Sequence, residues 1–310
     1  MKKILVVLIS IVFIPFSITN FFYDYKIKKI NVGIITNKQK KETIIRVLRS
    51  NNTVEKINIE DYLIGVVSSE VPVYFEEEAI KAQAVAARTY ALKQMQGRKN
   101  EPYDVTDTTS SQVYQSDEQL RNKWKDNYEK NVEKIKKCIQ STNGEYLTYN
   151  DEIIYAFFFS TSNGKTEDNK DVFGKDLPYL RVVDSSFDKN ETQNFEISTT
   201  FSLNDFYQKL GLNYSDELSI TNKELTDSGR VRSITINQKT FKGTDIRSKL
   251  SLRSTDFNIE KKDNNVIITT KGYGHGVGMS QYGANALAKQ NKNYKEILNY
   301  YYQGTNLQNL

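Results

Sequence analysis

This chain of 310 residues has one cysteine and one histidine. One cysteine excludes a disulfide within the chain and any zinc site with more than one thiolate, and one histidine excludes a metal site built from several imidazoles. Residues that build a core are plentiful, since 38% of the chain is hydrophobic and 12% is aromatic. The composition therefore predicts a globular protein of one large domain or two ordinary ones, and it excludes a disordered chain and a polytopic membrane protein.

The net positive charge is small outside the N-terminus. The net charge is +5, but residues 1–30 hold five lysines against Asp24, so four of the five net charges lie there. The rest of the chain is nearly neutral. Because nucleic-acid binding needs a sustained positive surface, we expect no nucleic-acid partner.

One long uncharged run is present, from Ile4 to Phe22, and Lys2 and Lys3 precede it. A helix of this length has roughly the hydrocarbon thickness of a bilayer. We predict a single membrane anchor over residues 1–30. The alternative is a cleaved signal peptide, although no small-residue cleavage motif precedes Asp24. Lysines flank the run on both sides and leave its orientation undecided, but the very short N-terminal tail favours a body outside the cytoplasm.

The body, residues 31–310, shows strand and helix patterns without regular βαβ alternation, which predicts an α+β fold with a β-rich core and several packed helices. Predicted helices cover residues 60–69, 75–95, 117–140, 279–289 and 294–302. Predicted strands lie within residues 31–59, with a turn at Asn51-Asn52, and at residues 145–149, 153–159 and 266–270. Residues 185–260 are short mixed elements rich in polar residues, and we predict that they form a smaller inserted lobe.

Cys138 lies beside the apolar stripe of the predicted helix 117–140. We interpret it as a packed thiol. A catalytic pair with His275 is the alternative, but no nucleophile-elbow sequence surrounds Cys138.

The first candidate for chemistry is Glu70, in Ser68-Ser69-Glu70-Val71-Pro72. It falls at a predicted helix end, before a proline that fixes the turn. Apolar neighbours on both sides would desolvate the carboxyl group and raise its pKa, as a general acid requires. The alternative is an ordinary solvated glutamate.

A second candidate is the loop from Gly272 to Gly278, which has glycine at every alternate position and leads into Gln281. A dinucleotide fingerprint fails here, because its third glycine would fall at Val277 or Met279. We predict a backbone-lined groove to which His275 and Gln281 present polar edges. The alternative is that the glycines serve tight turns and His275 packs in the core.

Two polar strips complete the set, Ser160–Glu167 and Asp107–Tyr114. The first lacks the glycine spacing of a phosphate loop. Hydroxyl and amide side chains on a loop suit sugar hydroxyls as well as the capped start of a helix.

Together these segments resemble the stage II sporulation protein D family and its amidase-enhancer relatives. The resemblance is carried by Glu60-Asp61-Tyr62-Leu63 through Pro72, by Glu78–Tyr90, by the two polar strips and by the glycine loop. It extends from about residue 30 to the C-terminus, with the motifs in the family's order.

The resemblance implies a membrane-bound peptidoglycan lytic transglycosylase of sporulation, used when the mother cell engulfs the forespore. Its substrate would be glycan strands stripped of peptides by a cell-wall amidase or endopeptidase, and a membrane scaffold protein of the engulfment machinery would be a further partner. The body would lie between the mother-cell and forespore membranes. The family's catalytic glutamate corresponds to Glu70. We predict that the substrate is contacted by Arg88, Gln112, Ser162, Asn163, His275 and Gln281.

Many family members carry Cys, His and Cys in the Asp107 strip, and some bind zinc there. This chain has Thr106, Ser110 and Ser111 instead. We therefore predict no metal and no cofactor.

A lytic transglycosylase needs one carboxyl group, which protonates the glycosidic oxygen and then takes the proton of the muramic 6-hydroxyl as that hydroxyl closes on its own anomeric carbon. Two alternatives stay open. One is a glycan-binding activator of an amidase without cleavage of its own. The other is a hydrolase that pairs Glu70 with Asp61 or Asp107 and yields reducing ends.

Overall fold

The computed structural model describes residues 42–310, so the predicted anchor over residues 1–30 lies outside the described residues. Within residues 42–310 no helix combines the length and the apolar character needed to cross a bilayer. Residues 44–310 form one compact unit, to which all of the following refers.

The unit mixes helices and strands, as predicted. Its helices are α1 (Ile59–Glu70), α2 (Glu77–Gly97), α3 (Asp117–Trp124), α4 (Tyr128–Ser141), α5 (Asn169–Phe173), α6 (Leu203–Leu210), α7 (Gly243–Lys249), α8 (Gln281–Lys289) and α9 (Tyr294–Tyr301). Its strands are β1 (Ile44–Leu48), β2 (Val54–Asn58), β3 (Val105–Thr106), β4 (Glu145–Tyr149), β5 (Glu152–Ile153), β6 (Phe158–Phe159), β7 (Glu196–Ser202), β8 (Ile220–Leu225), β9 (Val231–Ile236), β10 (Lys239–Lys242), β11 (Phe257–Lys262), β12 (Asn265–Lys271), β13 (Met279–Ser280) and β14 (Asn306–Asn309).

The strands form small sheets in the orders β2-β1-β3, β14-β4-β5, β11-β12-β7, β10-β9-β8 and β13-β6. Strand β13 runs parallel to β6, with Met279 opposite Phe158. This pairing brings the glycine loop beside the Ser160 strip. Gly278 permits the approach, because a Cβ there would lie 2.0 Å from the Phe157 carbonyl oxygen and the residue has a φ of +79°.

The larger core surrounds α1 and α2. The buried face of α2 consists mainly of alanines, whose small side chains let neighbouring backbones approach closely. On α1, Gly65 does the same for the Asp107 strip: a Cβ there would lie 2.4 Å from both the Tyr114 ring and the Gln115 carbonyl oxygen. The strip therefore lies directly against α1.

A second, separate core lies within residues 203–268; it overlaps the segment 185–260 predicted as an inserted lobe and extends beyond it into β12. It is built from apolar residues of α6, α7, β9 and β12, among them Leu203, Phe206, Ile234, Ile246, Val266 and Ile268. Its elements carry one wall of the cavity described below.

Three details of the sequence prediction were wrong. The helix predicted over 117–140 breaks between α3 and α4, where Lys125 has a φ of 47°. The strand predicted over 153–159 is two short strands, β5 and β6. The sequence also suggests that Glu60-Asp61 caps the start of α1, but the residue that caps this helix is Asn58, whose side chain accepts from the Glu60 N–H.

Candidate active site

Glu70 is the last residue of α1. The helix stops there because Val71 is extended, with φ −121° and ψ 146°, as expected for a residue that precedes a proline. The carboxyl group is therefore presented at a rigid helix end, and Pro72 turns the chain away from it.

Two hydrogen bonds hold the Glu70 carboxyl group unequally. Oε1 accepts from the backbone N–H of Val113 at 2.9 Å, and Oε2 accepts from Nε2 of Gln281 at 3.3 Å. Burial raises the pKa of Glu70, and the two hydrogen bonds only partly oppose this. The group therefore keeps its proton to a higher pH than an exposed glutamate does.

Gln112 directly precedes Val113 in the chain, and its side chain is held by other parts of the protein. Its Oε1 accepts from the Tyr62 hydroxyl at 3.2 Å, and its Nε2 donates to the Ala87 carbonyl oxygen at 3.3 Å. The Tyr62 ring stacks on Tyr114 with 5.3 Å between centroids. These contacts fasten the Asp107 strip to α1 and α2 and so fix the N–H that binds Glu70.

Next to the strip lies a cavity of about 410 Å³. It is lined by Tyr90, Thr109, Ser110, Ser111, Gln112, Phe157, Phe158, Val172, Phe173, Thr244, Arg247 and His275. Aromatic faces alternate with hydroxyl groups in this lining, a combination that suits a sugar with apolar ring faces and polar edges.

His275 faces this cavity as a neutral ring. Its Nδ1 accepts from the Val277 N–H at 3.1 Å, so its proton is on Nε2. Burial, with the nearby charges of Arg247 and Arg230, lowers the pKa of His275 to about 3. The imidazole is therefore an uncharged donor here. It has no contact with Cys138, which lies in the larger core and whose pKa burial raises to about 11.

On the other side of Glu70, two tyrosines lie close together. The hydroxyls of Tyr74 and Tyr282 are 3.4 Å apart, and Tyr282 directly follows Gln281. Tyr74 is 67% exposed. The sequence analysis missed this pair, although an aromatic four residues after the candidate acid was visible in the sequence.

Ser162 and Asn163 stabilise their loop. The fully buried Ser162 donates its N–H to Asp188 Oδ2 at 2.7 Å and its hydroxyl to the Ser185 carbonyl oxygen. Asn163 donates to Asp256 Oδ2 at 2.8 Å and to the Ser228 carbonyl oxygen at 3.0 Å. The structure does not bring these two side chains to Glu70.

Asp188, missed by the sequence analysis, ties that loop to α8. Besides the Ser162 N–H, it accepts from the hydroxyl of Ser280, which in turn caps α8 by accepting the Gly283 N–H at 3.2 Å. Gln281 is the first residue of α8. Asp188 therefore acts on Glu70 indirectly, through the position of Gln281.

Comparison with known proteins identifies the family. The family model described as SpoIID, stage II sporulation protein, matches residues 49–149. Stage II sporulation protein D of Bacillus amyloliquefaciens is 44% identical over 83% of this chain and 76% of its own, and that of Bacillus subtilis (strain 168) is 43% identical over the same shares. This chain belongs to the SpoIID family. The amidase enhancer of B. subtilis is 30% identical over 79% of this chain and 40% of its own.

Within this SpoIID chain, the conspicuous arginine of α2 is not at the site. Arg88 is fully buried and donates to both carboxylate oxygens of Glu60, at 2.8 and 2.6 Å, and to the Glu145 carbonyl oxygen at 3.0 Å. All three contacts are within the protein. Arg88 thus joins α2 to α1 and β4.

The Asp107 strip, where the resemblance implies zinc in some family members, does not offer suitable zinc ligands in this chain. Residues 42–310 contain no group of three or more His, Cys, Asp or Glu side chains placed to hold a metal ion. In the strip, Ser111 Oγ accepts from the Thr106 N–H at 3.1 Å, so the hydroxyls bind one another and the backbone. Zinc prefers thiolate and imidazole ligands, which the strip lacks.

Neither Asp107 nor Asp61 is placed to act as a second carboxylate with Glu70, because Asp107 pairs with other residues and Asp61 is distant. Asp107 pairs with Arg49 at 3.2 Å and accepts from the N–H and hydroxyl of Ser50. Asp61 lies nine residues before Glu70 on α1, which separates them by about 13 Å along the axis. That exceeds the spacing of a paired-carboxylate glycosidase, about 5–9.5 Å.

Proposed function

We propose that this SpoIID-family chain is a lytic transglycosylase that cleaves peptide-stripped glycan strands between N-acetylmuramic acid and N-acetylglucosamine during engulfment in sporulation. The observation that supports this is the half-buried carboxyl group of Glu70, whose pKa is raised by burial and whose two oxygens have different partners.

In the first half of the reaction Glu70 is the acid. Val113 binds Oε1 by the shorter hydrogen bond and so favours the proton on Oε2, whose contact with Gln281 is longer. Oε2–H donates to the glycosidic oxygen as the bond to the anomeric carbon breaks. Proton transfer from a positioned group of suitable pKa contributes typically about 10²–10⁴ in rate.

In the second half Glu70 is the base. Its carboxylate, still held by the Val113 N–H, takes the proton of the muramic 6-hydroxyl, and that oxygen bonds to the anomeric carbon of the same sugar. The products are a 1,6-anhydromuramic end and a free N-acetylglucosamine hydroxyl. The proton balance closes on one residue, so neither Asp61 nor Asp107 is required.

A second candidate function is a non-catalytic activator of a cell-wall amidase. It is favoured by the 30% identity to a protein named amidase enhancer. An activator needs the groove but not an acid, so Glu70 would then serve no chemical purpose.

For the part of the chain outside residues 42–310 we propose a single-pass membrane anchor, with the body outside the cytoplasm between the mother-cell and forespore membranes. The partners we propose are a cell-wall amidase or endopeptidase, which prepares the glycan, and a membrane scaffold of the engulfment machinery.

The first prediction tests the acid. Glu70→Gln keeps the size and the accepting oxygen of the side chain but can neither donate nor take the reacting proton. We expect at least a 10³-fold loss of cleavage of peptide-stripped glycan, with binding nearly unchanged. Mass spectrometry of released anhydro-ended fragments and a glycan pull-down measure the two quantities.

The matched control is Asp61→Asn, which removes a carboxylate from the opposite end of the same helix. It should cleave at the rate of the unsubstituted protein. Reducing ends without anhydro ends would identify a hydrolase. Glycan binding with no product from the unsubstituted protein, together with stimulation of a purified amidase, would identify an activator.

A further inference from the structure

The cavity beside the strip contains one permanently charged side chain among the described residues that line it. This is Arg247, on α7 of the second core. No acidic residue is part of the described lining. The wall is otherwise made of aromatic, aliphatic, hydroxyl and amide side chains and of the neutral His275.

Arg247 lacks an acidic partner within residues 42–310. Its Nε makes a long hydrogen bond of 3.4 Å to the Leu252 carbonyl oxygen, and its two terminal amino groups have no acceptor in the described part of the chain. Desolvation is the main influence on its pKa, which it lowers. A guanidinium in this situation gains when an anion binds, because a fork of two N–H donors matches a carboxylate.

A half-buried cation without an acidic partner is costly, and the two fully buried arginines of the described chain are paired differently. Arg88 pairs with Glu60, and Arg230 lies near Glu167 and donates to the Ser228 hydroxyl at 2.8 Å. Arg247 has donors to spare and faces open space. Burial, with the charges of Arg247 and Arg230, lowers the pKa of His275 and keeps the ring neutral, and the ring has a hydrogen bond with the backbone of Phe158.

Under the proposed function, the glycan itself supplies the matching anion. N-acetylmuramic acid bears a lactyl group whose carboxyl carbon is an amide while the stem peptide is attached. Removal of that peptide by an amidase leaves a free carboxylate on each muramic residue.

We propose that Arg247 binds the lactyl carboxylate of the muramic residue and thereby selects peptide-stripped glycan. A strand that still carries peptides offers an amide without charge, and it also brings a bulky chain into a cavity of about 410 Å³. The preference thus has an electrostatic and a steric part. This inference rests on the proposed function for its substrate.

The test separates charge from bulk by changing the glycan. Three substrates of equal length are compared: glycan with free lactyl carboxylates, glycan with each carboxylate converted to a methylamide, and glycan with intact stem peptides. We expect the methylamide to raise KM about 10- to 100-fold for the unsubstituted protein, the range of a charge-assisted hydrogen bond in a desolvated site. This comparison needs no variant and so is independent of folding.

Arg247→Gln should lose about the same factor on the free carboxylate and almost nothing on the methylamide. Arg247→Lys, which keeps the charge, should recover part of the preference. Lys249→Gln is the matched control, since it removes an exposed positive charge from the same helix. Equal losses on both substrates in Arg247→Gln, or equal KM values of the unsubstituted protein for both, would overturn the proposal.

Failure of the proposed function is recognised separately. The same three glycans are offered to Glu70→Gln, in which binding is measured without cleavage. If Glu70→Gln binds the free-carboxylate glycan more tightly than the methylamide, but the unsubstituted protein releases no anhydro product, then Arg247 is the recognition residue and the protein is not a transglycosylase. If the unsubstituted protein cleaves the free-carboxylate and methylamide glycans equally well, then the protein is a transglycosylase and Arg247 does not recognise the carboxylate.

Discussion

At the scale of single residues, the candidate site combines the carboxyl group of Glu70 with side chains that hold it in position. Glu70 is tuned by burial and by two donors of unequal strength. Gln112 and Asp188 lie one step away and fix those donors, by binding the strip and the start of α8. Catalytic geometry of this kind depends on supporting contacts, since about 1 Å of misplacement can cost roughly 10²-fold in rate.

Gln281→Leu should move the pH profile. The Gln281 hydrogen bond lowers the pKa of Glu70, so its loss lets burial raise that pKa further. The acid must be protonated to act, and activity falls as pH rises through its pKa. The basic limb of kcat/KM should therefore shift to higher pH.

The profile is measured on peptide-stripped glycan, with Tyr282→Phe as the control from the adjacent position. The control should leave the limb where it is. A shift of Gln281→Leu to lower pH would show that this amide is not the contact that tunes Glu70.

Arg88→Met should affect stability more than substrate affinity. It leaves Glu60 without two charge-assisted hydrogen bonds in a region where Arg88 is fully buried. Breaking such a pair costs about 3 kcal/mol in the free energy of unfolding. Urea denaturation measures the cost. An unchanged midpoint with a raised KM would mean that Arg88 serves the substrate after all.

At the scale of elements, the sequence pattern was sufficient to predict a helix or strand where local features, such as a proline, determine its ends. Helix α1, predicted over 60–69, spans Ile59–Glu70, and the proline that ends it was the clue to Glu70. The break at Lys125 was not predictable, because the apolar stripe continues across it and only the tertiary packing of α3 and α4 shows the interruption.

The site was only partly predictable for the same reason. Glu70 and Gln281 sit in local sequence contexts that mark them. Arg88 was predicted as a substrate contact. Its pairing with Glu60 could not be foreseen, because the two residues are 28 positions apart and no helical spacing connects them. Arg247 lies in a polar segment without a motif, and only the cavity shows what it faces.

Lys125→Gly should stabilise the protein. Lys125 has φ 47° and ψ −123°, a backbone conformation that glycine adopts freely and other residues adopt under strain. We expect a gain of about 1 kcal/mol, seen as a higher Tm. The same change at the exposed Lys136, within regular α4, should cost about 1 kcal/mol. Equal losses at both positions would show that the Lys125 conformation carries no strain.

At the scale of the whole molecule, residues 44–310 combine two large hydrophobic cores and a small apolar cluster around Leu120 in one compact unit. The acid belongs to the larger core, and the proposed carboxylate-binding arginine belongs to the smaller. Under the proposed function, recognition and chemistry thus come from different parts of the chain.

Cys138 offers a probe of opening in the larger core. It is fully buried, and its pKa of about 11 leaves little thiolate at pH 8. We expect no reaction with a thiol reagent in the native state and a labelling rate that follows the unfolding equilibrium as urea is added. Rapid labelling in buffer would show that α4 opens locally.

The contact between Glu70 and Gln281 joins residues 211 positions apart. A ribosome adding about 5–20 residues per second needs roughly 10–40 s between them. For that interval the growing chain already contains its acid but lacks one of the two groups that set its proton affinity, and the walls of the cavity are incomplete. Under the proposed function, the chain can therefore cleave glycan only when nearly all of it has been synthesised.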